Sequence, residues 1–366
     1  MSPRPTPTKT SANTSTNAST NVAPKILIVG ATGGAGQAFM TVCLERGWPV
    51  TALTRRTPDN RLPATVHQIA GDALSAADVC RAATATGPDI IFHGANPPGY
   101  RHWAETAPKM LAASIAAARQ TGARLLFPGN VYNFGPDSFP LIPEGAPQAP
   151  ISAKGAVRVQ MEEMLARAAQ DGVSSTILRA GDFFSAHSPG SWLSAVMVRT
   201  GRPLRRVTYP GCPNVGHTWA YLPDLAEAAA RLVETRDRQR PFEVCHFAGH
   251  HLDRGIEIAE IACRAAGLPT SRIGRFPWPL VRLAAPFVPL FREILEMRYL
   301  WRADVALDNR RLVELIGAEP RTPLDRAMED TLRGLGCLPG HPATPRLGAR
   351  TLVQADASAA STPAAT

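Results

Sequence analysis

This chain is short of lysine, of aromatic residues and of paired cysteines, and each shortage closes off a class of function. The sequence holds 39 Lys+Arg, but lysine occurs only at positions 9, 25, 109 and 154; the other basic residues are arginines scattered along the chain. With aromatics at 6% there is no basic stripe interleaved with aromatic side chains, so the net charge of +9 forms no nucleic-acid module. No nucleic-acid partner is expected, and the charge suits an anionic ligand equally well. The six cysteines at 43, 80, 212, 245, 263 and 337 form no C-x-x-C pair. Without a secretory apolar segment they read as reduced thiols of a cytoplasmic protein. His250 and His251 near Cys245 and His246 match no zinc spacing and have no carboxylate cluster beside them, so no metal is expected. No apolar run spans a bilayer: Pro277 to Phe291 is too short and contains Arg282 and four prolines. It reads as a lid or a packed helix pair over a ligand site, and no membrane partner is expected. No internal repeat is visible.

Met1 to Asn21 is rich in Ser, Thr, Asn and Pro without an apolar period, and Pro339 to Thr366 is rich in Ala, Pro and Thr. Both read as disordered tails, the first reaching to about residue 23. The first tail lacks the amphipathic arginine pattern of a targeting peptide. Between them, Ile26-Leu27-Ile28-Val29 is a buried-strand signal that runs into Gly30, Gly33 and Gly36, spaced G-x-x-G-x-x-G. A helix-compatible run from Gln37 to Arg46 follows. Strand, glycine turn and helix start form a phosphate cradle, because glycine lets the backbone approach closely and the free N–H groups at the helix start attract a pyrophosphate. Gly30, Thr32, Gly33, Gly34, Ala35 and Gly36 are therefore candidate cofactor contacts. The second strand, Val50 to Thr54, ends in Arg55-Arg56, and no acid lies between Glu45 and Asp59. An acid here would hold a ribose 2′-hydroxyl, whereas arginine accommodates a 2′-phosphate, so NADP is the expected cofactor.

Further apolar runs at Val66 to Ala70, Asp89 to His93, Arg124 to Pro128, Ser175 to Arg179 and Phe242 to Phe247 alternate with helical segments such as Met110 to Thr121 and Ile256 to Ala266. That alternation predicts an α/β fold, a Rossmann doubly wound parallel sheet with a smaller, partly helical C-terminal substrate domain. The expected NADP-binding domain covers 24–185 and is completed by about 216–249. The substrate-binding part covers 186–215 and 250–338.

In this order the motifs resemble the extended and atypical branch of the short-chain dehydrogenase/reductase family, which includes NAD-dependent epimerases and dehydratases acting on sugar nucleotides. The resemblance runs from about Lys25 to about Gly336. It implies that Asp72, with Ala73 beside it, contacts the adenine at the end of strand three. It also implies that Phe92-His93-Gly94-Ala95-Asn96 stands where the family's small-residue motif lines the nicotinamide side, with Gly94, Ala95 and Asn96 as the contacts. Asn130-Val131-Tyr132 with Gly135 is similar to the family's V-Y-G segment, and Leu178-Arg179, Phe183-Phe184 and Tyr221 to Ala226 are similar to landmarks of its second half.

The family moves its proton through a Tyr followed four residues later by a Lys, helped by a Ser or Thr. None of the five tyrosines here has a lysine four residues on, and no Ser or Thr lies between Thr121 and Ser138. Aligned on Glu162, Lys154 stands at the Tyr position and Arg158 at the Lys position. Lys154 is then a candidate proton donor, since a lysine desolvated beside an arginine gives up its proton more readily. Its alternative role is a ribose or phosphate contact. Tyr132 is the second catalytic candidate. His187 and His217 fall in segments the resemblance places near the cleft, and each reads first as a hydrogen-bonded structural histidine. Two functions stay open: an NADP-dependent oxidoreductase or epimerase-like enzyme on a small carbonyl or sugar-derived substrate, or a non-catalytic NADP(H)-binding redox sensor like NmrA-type relatives. A homodimer is compatible with either.

Overall fold

A computed structural model describes residues 22–97, 102–188 and 190–338. The expected tails at 1–21 and 339–366, and Tyr100, lie outside the described residues, while residues 22 and 23 are exposed and lead irregularly into the first strand.

Seven strands make one parallel sheet: β1 (Ile26–Val29), β2 (Val50–Thr54), β3 (His67–Ala70), β4 (Ile90–His93), β5 (Arg124–Asn130), β6 (Ser175–Ala180) and β7 (Phe242–Phe247). Their order is β7-β6-β5-β4-β1-β2-β3. The chain winds outward from β1 in one direction and from β4 in the other, so the topological switch lies between β1 and β4. Ligands of such sheets bind there, at the carboxyl ends of the strands. Residues alternate between faces along each strand. Ile26, Ile28, Phe92, Leu126 and Leu178 bury against α1 (Gly34–Glu45), while Leu27, Val29, Ile91, Phe127 and Ile177 bury on the other face. That second face is covered by α2 (Ala76–Thr86), α3 (Trp103–Thr121) and α4 (Ala153–Gln170); α5 (Leu222–Glu234) joins α1 on the first.

The continuous apolar runs of β1 and β4 follow from this burial on both faces. The expected strands and helices are present, with ends that differ by a few residues. α1 starts three residues before Gln37, because Gly33 takes the N-cap position, and α3 starts at Trp103 rather than Met110.

The C-terminal part is built around a small sheet of Asp182–Phe184, His217–Tyr221 and His250–Leu252. His217–Tyr221 thus belongs to this sheet and not to the dinucleotide-type sheet, although α5 and β7 after it do complete the latter. α6 (Glu257–Ala265) packs here, followed by a hairpin of α7 (Trp278–Ala284) and α8 (Pro289–Glu296). α9 (Arg310–Ile316) crosses back, placing Leu312 and Leu315 in the main core, and α10 (Leu324–Gly334) closes against α6. Among the described residues no helix is long and apolar enough to cross a membrane.

Candidate functional site

The three spaced glycines of the G-x-x-G-x-x-G run, Gly30, Gly33 and Gly36, have different physical duties. Gly30 has φ +98°, and a Cβ there would sit 2.5 Å from the Ala95 nitrogen. The turn therefore presses against the segment leaving β4, an approach only glycine permits. A Cβ on Gly36 would collide with the Gly30 carbonyl oxygen, so this glycine lets α1 lie against β1. Gly33 is unlike both. Its φ of −80° suits any residue, and a Cβ would meet the Gly30 oxygen at 3.4 Å and the Gly94 oxygen at 3.9 Å, ordinary contacts. Neither packing nor backbone conformation requires glycine at 33. What it leaves is open space at the start of α1, a helix with no side-chain cap and no acid in its first turn. That space, between the ends of β1 and β4, suits a pyrophosphate on the helix N–H groups.

The other sequence-derived contacts stand around it. Gly94 donates its N–H to the Val29 oxygen at 2.8 Å, which ties the end of β4 to the end of β1. Gln37 Nε2 holds the Thr32 carbonyl at 3.2 Å, bracing the loop, and the His187 oxygen and Ser188 lie against Gly34. Ala35 packs on the core beneath. Arg55 and Arg56 follow β2 and are exposed, and Thr54 Oγ1 donates to the Arg56 oxygen at 2.9 Å to shape their turn. Asp72 follows β3; its Oδ1 accepts the Leu74 N–H at 3.0 Å, while its own N–H goes to Asp78 Oδ2 at 3.0 Å. This bond, more than the Arg81 ion pair, holds the Asp78 carboxyl below the usual range. Ala73 is half-buried beside Asp72.

The helix expected to carry the proton donor is fixed firmly. Ser152 caps α4, its Oγ accepting the Gly155 N–H at 3.0 Å. A Cβ on Gly155 would collide with the Tyr132 carbonyl oxygen, so the turn after β5 lies directly on the first turn of α4, beside Lys154. Deeper in, Glu162 and Arg179 form an ion pair with side-chain exposures of 2% and 3%. Gln148 Nε2 donates to Glu162 at 2.8 Å, and an Arg179 guanidinium N–H reaches His246 Nε2 at 3.0 Å. Such a buried pair is weak support for stability but fixes register. Here it locks α4 to β6 and β7. His246 is held neutral, pushed down to about 3 by burial and then by Arg179. Its Nδ1–H donates to the Ile142 oxygen at 3.1 Å.

Lys154 and Arg158 stand near the start of α4. Arg158 lies over the rings of Trp103 and Phe127, at 5.5 and 5.4 Å to the centroids, so its charge is spread on aromatic faces. Lys154 Nζ makes an ion pair with Glu293 of α8 at 3.2 Å. The Lys154 side chain is 15% exposed, and the carboxylate beside it was not among its expected surroundings. Trp103 also donates its indole N–H to Asn96, which links Arg158 to the segment after β4. Gly94, Ala95 and Asn96 are thus connected through Trp103 to Arg158, and Tyr132 adjoins the turn that bears Lys154. His187 is exposed; His217 is buried, bonded to Asp182 at 2.8 Å and stacked on Trp301 at 4.1 Å, a structural placement.

Three residues near the site were not foreseen, and His93, which the resemblance put in the motif on the nicotinamide side, turns inward. His93 closes β4, fully buried, with Nδ1 bonded to Ser114 at 2.8 Å; burial first and Arg158 second push it down to about 3. Tyr299 donates to the Phe134 oxygen at 3.2 Å near the start of α4, and burial pushes it up to about 12. Trp103 and Glu293 complete the set. Glu293 carries no local signal, since its partner is far away in sequence. Trp103 could have been found from its place at the start of the helix after the β4 segment. Among the described residues no group of His, Cys, Asp and Glu could hold a metal ion.

The model of the family described as NAD dependent epimerase/dehydratase family matches residues 26–246. A curated relative, a 3-diazoavenalumate denitrifying reductase from Streptomyces sp, is 26% identical over 173 residues, 44% of this chain and 56% of the relative. The match therefore spans just over half the length of that relative. Among solved structures, a partial consensus L-threonine 3-dehydrogenase superposes with a TM-score of 0.68 at 19% identity, covering 86% of this chain and 99% of the other. The Thermus thermophilus UDP-glucose 4-epimerase complex with NAD gives 0.64 at 19% identity, covering 85% and 98%. At such identities these structures share the fold.

Proposed function

The chain belongs to the NAD dependent epimerase/dehydratase family, and we propose that it binds NADP(H) in preference to NAD(H) and acts as an oxidoreductase or epimerase-like enzyme on a small carbonyl or sugar-derived compound. The observation that carries the reading is Gly33: a glycine that neither packing nor φ demands, open at the switch between β1 and β4. Gly30 to Gly36 would hold the pyrophosphate, Asp72 and Ala73 the adenine end, Arg55 and Arg56 the 2′-phosphate, and Gly94, Ala95, Asn96 and Arg158 the nicotinamide half. Bound there, a nicotinamide dinucleotide supplies or withdraws a hydride.

The chain's own contribution is the proton and the charge. The Lys154 ammonium would donate to the substrate's carbonyl oxygen as charge builds on it. The turn from β5 sets it in place, and Glu293 gives it a fixed direction across the cleft from α8. The Tyr132 hydroxyl is the second donor. Arg158, spread on Trp103 and Phe127, keeps a positive charge near the reacting centre that no proton transfer removes.

The test is NADPH oxidation against a panel of small carbonyl compounds, with Lys154→Met and Tyr132→Phe beside the unmutated protein. Turnover abolished in Lys154→Met, with NADPH affinity kept, supports the reading. NADP and NADPH bound with different affinities and no turnover with any carbonyl would overturn it in favour of a redox sensor.

A further inference from the structure

The hairpin of α7 and α8 presents an apolar stripe to solvent. Leu280 and Leu283 of α7 and Phe287 in the turn after it are 66%, 75% and 84% exposed, while Val281 and Ala285 beside them are buried. Trp278 pins the hairpin's start, donating its indole N–H to the Pro210 oxygen at 2.7 Å with Arg298 over its ring. The stripe is held outward by a packed underside.

The charge up to the second turn of α8 is of one sign, and the exposed Glu296 at the end of that helix is the hairpin's one acid besides Glu293. No Asp or Glu occurs from residue 261 to 292, and Arg272, Arg275, Arg282 and Arg292 in that stretch are all exposed. The first acid, Glu293, is spent on Lys154. Three occupants could cover such a face, and charge separates them. A second copy packed across a two-fold axis would bring these arginines against themselves. The chain's own ends offer no counter-charge: residues 1–21 contain no acid, and 339–366 contain Asp356 alone, with Arg346 and Arg350. An anionic lipid surface complements both features, apolar side chains at the acyl boundary and arginines among the headgroups.

We propose that the α7–α8 hairpin docks the protein on an anionic membrane surface, with Leu280, Leu283 and Phe287 inserted and Arg272, Arg275, Arg282 and Arg292 on the headgroups. The expectation of no membrane partner rested on the lack of a spanning segment, which a hairpin lying in the interface does not need. Because Glu293 of the same hairpin holds Lys154, the docked face adjoins the candidate site.

The full-length protein is sedimented with vesicles of phosphatidylcholine alone and of phosphatidylcholine mixed with phosphatidylglycerol. It should pellet with the mixed vesicles, weakly with the neutral ones, and less as salt is raised. Leu280→Ser with Leu283→Ser and Phe287→Ser should lower the apparent affinity at least about tenfold while melting temperature and NADPH affinity stay unchanged, since all three side chains are exposed. Absence of pelleting with the mixed vesicles at low salt would overturn the proposal. So would equal binding by the triple variant, which would assign the attraction to charge elsewhere on the chain. So would a solution dimer that the triple variant dissociates, which would make the stripe a contact between copies.

Discussion

Substituting two glycines three residues apart separates the cofactor's requirements from the fold's. Gly33 is exposed, and a Cβ there makes only ordinary contacts, the nearest with the Gly30 oxygen at 3.4 Å. The residue's φ of −80° is open to any amino acid. Gly33→Val should therefore leave the melting temperature within a degree or two, as surface changes do. The valine fills the space over the first turn of α1 and pushes a pyrophosphate off the helix N–H groups. Hydrogen bonds to a charged group contribute about 1.5–3 kcal/mol each, so loss of one or two lowers NADPH affinity on the order of ten- to several-hundredfold. Gly36→Ala does the opposite. Its Cβ collides with the Gly30 backbone oxygen, which has no flexible end to move aside. Overpacking of this kind costs roughly 1–3 kcal/mol, a fall in melting temperature of several degrees. Differential scanning fluorimetry and fluorescence titration with NADPH read the two quantities on the same samples. A folded Gly33→Val protein with unchanged NADPH affinity would refute the reasoning, as would a Gly33→Val protein destabilised as much as Gly36→Ala.

Stability should fall as pH drops from 7 to 5, because His93 and His246 stay neutral in the fold with pKa values near 3 while the unfolded chain protonates them near 6.5. The unfolded state binds more protons throughout that window, so each histidine withdraws about 1.4 kcal/mol per unit below 6.5, together roughly 4 kcal/mol at pH 5. Urea unfolding at the two pH values measures it, and His93→Gln with His246→Gln should remove most of the slope; a flat profile in the unmutated protein would contradict the burial argument. Arg55→Ala with Arg56→Ala should reduce a preference for NADPH over NADH of more than about tenfold to near parity, since charge-assisted pairs to the 2′-phosphate carry it. Calorimetry on both dinucleotides decides, and a preference that survives the double substitution would place the 2′-phosphate elsewhere.

The sheet was legible because its strands are buried on both faces, which writes continuous apolar runs such as Ile26 to Val29 and Ile90 to His93 into the chain. The glycine loop was legible for the same local reason: turn, close approach and helix start all fall within seven residues. The small sheet was harder. His217–Tyr221 is buried like a core strand, but its partners are Asp182–Phe184 and His250–Leu252, and nothing local distinguishes one sheet from another. The surroundings of Lys154 were beyond reach for a stronger reason. Its position on α4 follows from the spacing to Glu162, yet the carboxylate that meets it arrives on α8 from the far end of the fold. The rings beneath Arg158 likewise come from two other elements, α3 and β5. Side chains assembled by tertiary packing leave no pattern at either end of the contact. The Pro277 to Phe291 hairpin was anticipated as a lid or packed pair, but which face it turns outward depends on what it packs against.

The central claim is that a nicotinamide dinucleotide binds at the ends of β1 and β4, and isothermal titration of NADPH into the unmutated full-length protein tests it most directly. The account predicts saturable binding at one site per chain, tighter than for NADH and abolished or severely weakened by Gly33→Val. Absence of saturable binding of either dinucleotide, or binding indifferent to Gly33→Val in a folded protein, would contradict it.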